Sequence, residues 1–536
     1  DYPSPEHFHD ATDYVEYAED VYVGYRYFET LPGAAERVCY PFGFGLSYTR
    51  FALEVLEAGA ENGIIQIRTQ VTNIGDRAGK EVVQLYFCPP KGRLQKPSRN
   101  LTAFRKTGLL GPGESETVTL SFAVSDMASF DDLGKIAPSA WVLEKGRYDL
   151  YLGTSVRDVE KLDFAWEQAE TEIVRQCRNV LAPSQLAKRL QADGTWEYLP
   201  AAPAVDTDAN ALVPLDPNTL EAVAPEARAR GRYWLARPYP EGVRPLSEVA
   251  EGKLTLDAFM AQLRDEDLIH LLGGQSNVGV SNTFGIGNLP EYGVPNITTA
   301  DGPAGLRIQP EAGVCTTAWP CATLLAATWD EDLVSRAGEA AAAEVKENNI
   351  SVWLAPAVNI HRSPLCGRNF EYDSEDPLLA GKIAAAMVRG IQSRHIAATV
   401  KHFACNNKET NRKNSDSRLS QRALREIYLR PFEIVIREAE PWAVMSSYNI
   451  INGRRASESR ELLTDILRED WGYTGMVMTD WWTRGEHYKE ILAGNDLKMA
   501  NGYPERVRQA LDLGLVSRED LETCARRVLE LILKID

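Results

Sequence analysis

The chain's 536 residues are more than one hydrophobic core fills, so at least two domains, and more naturally three, are expected. Hydrophobic residues at 44% and charged ones at 25% exclude a disordered or fibrous chain. A net charge of −18 repels nucleic acid and anionic membrane, and no apolar stretch is long enough to span a bilayer, so neither is expected as a partner.

Residues 1–45 are rich in Tyr, Asp and Glu and turn through Tyr40-Pro41-Phe42-Gly43-Phe44-Gly45. The opening Asp1-Tyr2-Pro3-Ser4 is neither a signal peptide nor an initiator methionine, so the sequence reads as part of a longer product. Gly43-x-Gly45 lacks a third glycine, since Tyr48 stands there, and it is not a dinucleotide fingerprint. From 46 to 168 the texture is all-β. Short alternating runs at 64–72, 81–87, 115–122 and 146–152 are separated by turns such as Gly111-Pro112-Gly113-Glu114, the pattern of an immunoglobulin- or fibronectin-type sandwich. Residues 169–250 read as a linker with short helices, including a helical stretch near 171–190.

From 251 to 536 strands alternate with helices. Helical periodicity at 331–347, 378–393, 420–438, 459–469 and 504–514 separates apolar runs at 352–357, 397–400, 443–446 and 475–478, which predicts a parallel sheet. Polar residues follow several of these runs: Asn359 and His361, Lys401 and His402, Tyr448, and Asp480. Asp301 follows a run at 297–299, and Asp496 precedes Leu497-Lys498-Met499. Polar groups gathered at the carboxyl ends of parallel strands are where a (β/α)8-type TIM barrel builds its active site.

Asp480, between Thr479 and the tandem Trp481-Trp482, is the sharpest candidate. A carboxylate at the end of a buried strand is costly unless it has partners or a task. Taken alone it is equally a helix cap or an ion pair, but two tryptophans beside it suit stacking on sugar rings. Lys401-His402 is a basic pair able to bind hydroxyls and to keep Asp480 ionised, or else a core histidine beside a snorkelling lysine. In Gly367-Arg368-Asn369-Phe370-Glu371-Tyr372-Asp373-Ser374-Glu375-Asp376-Pro377, Arg368 offers a planar fork that Glu371 or Asp373 could orient. Asp376-Pro377 suits a helix start. Eight cysteines without a CxxC, and no Cys/His cluster of zinc spacing, point to mostly buried thiols, no metal site and a cytoplasmic setting.

Six motifs in order resemble glycoside hydrolase family 3: 301–307, 367–371, Lys401-His402-Phe403, 445–449, 475–481 and Ala493-Gly494-Asn495-Asp496-Leu497. Residues 23–28 and 40–48 resemble the stretch that, in this family, joins an α/β sandwich domain to a fibronectin III-like domain. The resemblance implies domains at 1–45 (tail of the α/β sandwich), 46–168 (fibronectin III-like), 169–250 (linker) and 251–536 (TIM barrel). That order is inverted relative to most members and looks like the family's circularly permuted β-glucosidases. It implies a retaining mechanism without cofactor, in which Asp480 is the nucleophile. Asp301, Arg368, Lys401, His402 and Tyr448 would bind the sugar hydroxyls, and Trp481 and Met445 would wall the pocket.

In most of the family the general acid/base is a glutamate on the α/β sandwich domain. In a subgroup acting on N-acetylglucosaminides it is a histidine after Lys-His-Phe. Here that loop reads Ala404-Cys405-Asn406-Asn407-Lys408-Glu409-Thr410, without histidine. The expectation is therefore a β-glucosidase whose acid/base comes from an upstream segment or a second chain. A β-xylosidase and a non-catalytic carbohydrate-binding remnant stand as alternatives. Glu371, Glu375, Glu409 or another carboxyl of the barrel loops would be the acid if this chain alone suffices. A homo-oligomer is compatible with the sequence.

Overall fold

In the computed structural model, the described residues are Phe8, 11–200, 238–277 and 279–535. The early β region is a sandwich. Phe51–Glu61, Ile64–Asn73 and Ser115–Ala123 form one antiparallel sheet, and Val159–Gln168, Gly146–Gly153, Val82–Cys88 and Asn100–Lys106 form another. Ile64–Asn73 buries every second residue (Ile65, Ile67, Thr69, Val71 and Asn73). With a period of two residues, one face of a strand meets the core and the other meets water. A smaller sheet joins Ser129–Asp131, Ala140–Leu143 and Glu172–Gln176.

That last strand corrects the helix expected near 171–190. Glu172–Gln176 pairs antiparallel with Ala140–Leu143, and Lys188–Leu190 forms a hairpin with Trp196–Tyr198. The β-branched Ile173-Val174 pair suits a sheet edge, Pro183 interrupts any helix between the two strands, and pairing with a ready edge prevails over weak helical periodicity. Much of the expected linker, residues 201–237, lies outside the described residues.

Val294–Ala300, Val352–Trp353, Ala397–Phe403, Ala443–Ser446 and Met476–Thr479 pair in parallel, in that order. The ring continues through parallel bridges Met478–Leu497 and Lys498–Gly273, then antiparallel bridges from Gln275 to Gly285 and from Gly285–Leu289 to Val294–Ala300. The sheet therefore closes on itself, but Gly285–Leu289 runs against its neighbours, a departure from an all-parallel barrel. Because the other staves run in parallel, the residues that end them meet at one end.

Helices Glu331–Glu347 and Pro377–Gln392 cover this ring. Asp376 caps the second, accepting from Leu379 N at 2.9 Å, and Pro377 opens it, as the sequence leads one to expect. The helices touch through Gly338 and Gly390: a Cβ on Gly390 would lie 2.1 Å from Ser335 O. The sandwich packs on their outer side through Trp329, whose ring is 5.1 Å from Phe104 and 5.3 Å from Phe42.

The N-terminal segment lies on the carboxyl end of the ring. Tyr14–Glu16 pairs in parallel with Asp416–Arg418, which itself pairs with Ile450–Ile451. Glu19 takes a bidentate ion pair from Arg362 (2.5 and 2.9 Å), both side chains being buried. Among the cysteines, only Cys366, Cys405 and Cys524 are buried, whereas Cys39 and Cys315 are exposed. The thiols are therefore not mostly buried, because the others fall on loops and strand ends. Among the described residues no helix is long and apolar enough to cross a membrane.

The close helix contact sets a test. Gly390→Ala gains helix propensity of about 1 kcal/mol but drives a methyl into backbone, and overpacking costs about 1–3 kcal/mol. The urea midpoint should fall; a midpoint that rises would mean the helices separate freely.

Candidate active site

The ends of the parallel staves line one cavity of about 580 Å³. Asp480 and Trp481 follow Met476–Thr479, Lys401 and His402 end Ala397–Phe403, and Met445 and Tyr448 belong to the Ala443–Ser446 stave and its turn. Asp301 follows Val294–Ala300, and Arg368 enters from the loop after Val352–Trp353. The eight residues for which the resemblance implies the nucleophile, hydroxyl-binding and pocket-wall roles thus face one space.

Asp480 is 8% exposed. Its Oδ1 accepts from Trp481 N at 2.7 Å, and its own N–H donates to Ser446 O at 3.1 Å. Burial raises its pKa above the ordinary aspartate value; the positive charge of Arg368, the Trp481 N–H, and then Lys401 and Arg412 pull it back only in part. The Lys401-His402 pair was expected to keep Asp480 ionised. Arg368 is the strongest countercharge and Lys401 a weaker one, while the surroundings of His402 disfavour its charged form. Arg368 Nη2 lies 2.9 Å from His402 Nε2, and since a guanidinium can only donate, Nε2 accepts and the imidazole proton sits on Nδ1. Burial, with Arg368, Lys401 and Arg412 nearby, holds the His402 pKa well below its ordinary value. The 3.8 Å approach of Nε2 to Asp480 Oδ2 is therefore not an ion pair. Asn359 clamps the His402 backbone from both sides, its Oδ1 accepting from His402 N and its Nδ2 donating to His402 O, each at 2.9 Å.

Lys401 Nζ donates to Asp301 Oδ1 at 2.7 Å, and Arg307 Nη1 lies 3.0 Å from Oδ2. Burial pushes the Asp301 carboxyl up, but Lys401 overrules it and holds the group well below the usual carboxylate range. Arg368 is gripped in turn by Glu371. Tyr448 donates to Trp481 O at 2.7 Å, and the Arg412 guanidinium stacks on its ring at 4.6 Å. At the mouth, Trp482 stands edge-on to Phe284, with centroids 5.8 Å apart and an interplanar angle of 89°.

Other sequence candidates lie elsewhere. Asp496 is turned away from the cavity, bound to Arg468 at 2.7 Å and Arg527 at 2.8 Å. His361 contacts the carbonyls of Asn369 and Tyr372. Glu375 accepts from Tyr25 N at 2.8 Å, and burial pushes its carboxyl up to about 7. Glu409 sits at the rim against Arg412, at 2.9 Å. Trp482, noted from the sequence as a stacking residue, also lines the cavity, as do Arg307, Arg412 and Phe284, which were given no role. Arg307 adjoins a recognised motif, while Arg412 lies in an irregular polar loop with no periodicity to single it out. Among the described residues no His, Cys, Asp and Glu group could hold a metal ion.

Such a cavity pairs a desolvated carboxylate with donors and acceptors suited to hydroxyl groups. The comparisons agree in kind. Residues 288–531 match the glycosyl hydrolase family 3 N-terminal domain, and residues 81–156 match the fibronectin type III-like domain. The chain is 56% identical to beta-glucosidase A of Butyrivibrio fibrisolvens, over 97% of this chain and 65% of that protein. It is 39% identical to a beta-glucosidase of Ruminococcus albus, over 99% of this chain and 56% of the relative. A solved beta-glucosidase from Paenibacillus barengoltzii superposes with a TM-score of 0.88 at 38% identity, covering 100% of this chain and 60% of that one. The chain thus spans less than two thirds of the length of each.

The neutral state of His402 is directly measurable. Its imidazole nitrogen shifts should show no titration through pH 6.5, the ordinary histidine value. Arg368→Leu, which removes one of the charges depressing it, should move its titration upward. A wild-type His402 that protonates near pH 6.5 would contradict the assignment.

Proposed function

We propose that the chain is a member of glycoside hydrolase family 3 and that its cavity is the sugar-binding and nucleophile-bearing part of a retaining β-glucosidase. The observation that carries this reading is the buried Asp480 carboxylate, set in a cavity of about 580 Å³ among hydroxyl-binding groups. The chain's order, with its fibronectin-like match ahead of the barrel match, supports reading it as a circularly permuted member.

In this reading a terminal β-glucosyl unit lies with its apolar ring face against Trp481 and Met445. Asp301 accepts from its hydroxyls, and Lys401 and Arg368 donate to them. Asp480 attacks the anomeric carbon, forming a carbon–oxygen ester bond as the glycosidic carbon–oxygen bond breaks. The leaving oxygen takes a proton from a general acid. Water then replaces the ester, giving a proton back to the same group, and both steps pass through oxocarbenium-like transition states.

A retaining acid sits about 5–5.5 Å from the nucleophile and must hold a proton to give. Asp301, held well below the usual carboxylate range by Lys401, and Glu371, gripped by Arg368, are the other cavity carboxylates. Glu409 is paired with Arg412, and Glu375, although burial raises it, is bound to Tyr25 N and does not line the cavity. We therefore place the acid/base outside the described residues, on a further segment or a partner chain.

Three outcomes are expected. Asp480→Asn should lower turnover by orders of magnitude without unfolding the chain, and a 2-deoxy-2-fluoro glucoside with a good leaving group should label Asp480; label on another carboxylate would sink the assignment. Residues 1–536 alone should turn over a dinitrophenyl glucoside but barely cleave cellobiose, because general acid catalysis supplies about 10²–10⁴-fold for poor leaving groups. Full cellobiase activity from this chain would return the acid to its own loops. Finally, Asp480 attacks only as the anion, so labelling should fail as pH drops through its raised pKa. Arg368→Leu, which removes its strongest countercharge, should move that acid limb to higher pH; a shift downward would contradict the electrostatics.

A further inference from the structure

The loop that begins with Asp480 does not rest on the cavity groups alone. Trp482 has φ +54°, a left-handed conformation uncommon for a bulky aromatic residue and kept only where the surroundings impose it. Its N–H donates to Met499 O at 2.9 Å. The next residue, Thr483, is buried and touches an ion pair that does not line the cavity. Lys498 and Glu490 are each 1% exposed, with Nζ and Oε2 2.6 Å apart.

Every donor of that ammonium is accounted for: Glu490 Oε2, Thr483 Oγ1 at 3.0 Å and Gly485 O at 2.9 Å. Glu490 Oε1 accepts from Thr483 Oγ1 at 2.9 Å and from Ser457 Oγ at 2.7 Å. The loop lies directly on the pair, since a Cβ at Gly485 would come 2.2 Å from Glu490 Oε1. A buried ion pair is seldom the most stable way to fill a core, and an apolar pair of similar volume does as well or better. This one spends its hydrogen bonds on the loop that carries the nucleophile.

We propose that Lys498 and Glu490 are positioning residues. Through Thr483 and Gly485 they hold the 480–486 loop so that Trp482 stays left-handed, with its indole set against Phe284 at the cavity mouth. The pair does not touch the sugar site, so its effect falls on the rate of attack at Asp480 and on the leaving-group side, not on the binding of a free monosaccharide. The catalytic consequence rests on the glycosidase reading above; the mechanical one does not.

The test uses Lys498→Met and the milder Thr483→Val, which keeps both charges and cuts only the hydroxyl link. The first readout is tryptic cleavage after Arg484, which is exposed within this loop. Both variants should be nicked there at least fivefold faster than wild type, with cleavage elsewhere unchanged. The second is labelling of Asp480 by a dinitrophenyl 2-deoxy-2-fluoro glucoside. Its maximal rate should fall at least fivefold in both variants, while the inhibition constant of free glucose moves less than twofold. A purely structural role would move both together or neither. If Thr483→Val melts like wild type and shows wild-type nicking and labelling, the proposal is overturned. If wild type itself takes no label, the glycosidase reading fails, and the Arg484 nicking still decides whether the pair holds the loop.

Discussion

A carboxylate at the end of a buried strand has to be balanced by cations that are themselves held in place, and the cavity is arranged around that constraint at Asp480. Arg368 provides the strongest balancing charge and is fixed by Glu371 on one side and His402 on the other. Lys401 is fixed by Asp301, and Arg412 by Glu409 and the Tyr448 face. No member is free to collapse onto Asp480, so each stays aligned toward the cavity. Dipoles and charges set beforehand need no rearrangement as charge develops, which is where electrostatic stabilisation is most effective. In a chain of net charge −18, this local gathering of cations is a property of the site.

The fold supplies the convergence. Parallel staves bring residues from 301 to 481 to one end of a closed sheet, and the loops there are braced from behind. Asn359 clamps His402, and the Lys498–Glu490 pair sits beneath the Asp480 loop. The glycine contact of the two covering helices lets them lie close against each other, and the sandwich in turn packs on their outer face through Trp329.

Much of this was legible in the sequence because it depends on local pattern. Strands such as Ala443–Ser446 announce themselves as short apolar runs, helices such as Glu331–Glu347 by period, and Asp480 or Lys401 by following an apolar run. What escaped depends on distant partners. Arg412 acquires its place only when its loop folds over Tyr448. Glu172–Gln176 becomes a strand because Ala140–Leu143 offers an edge. The reversed stave Gly285–Leu289 is set by closure of the ring, and Asp496 looks like a site residue until Arg468 and Arg527 claim it. The state of His402 turns on the same kind of partner, since residue type shows a base but not the guanidinium that donates to it.

The pairing of Tyr14–Glu16 with Asp416–Arg418 has a consequence for biogenesis. A ribosome adding about 5–20 residues per second makes the first strand roughly 20–80 s before the second. Throughout that interval Val15 and Tyr17, buried in the finished molecule, have no seat, and Glu19 waits for Arg362. The sandwich, whose strands lie within about 120 residues of one another, can close in the meantime and keep the early segment tethered nearby. The rim of the cavity thus cannot assemble before Asp416–Arg418 is made, and until then an unpaired strand edge is open to chaperones or to wrong partners.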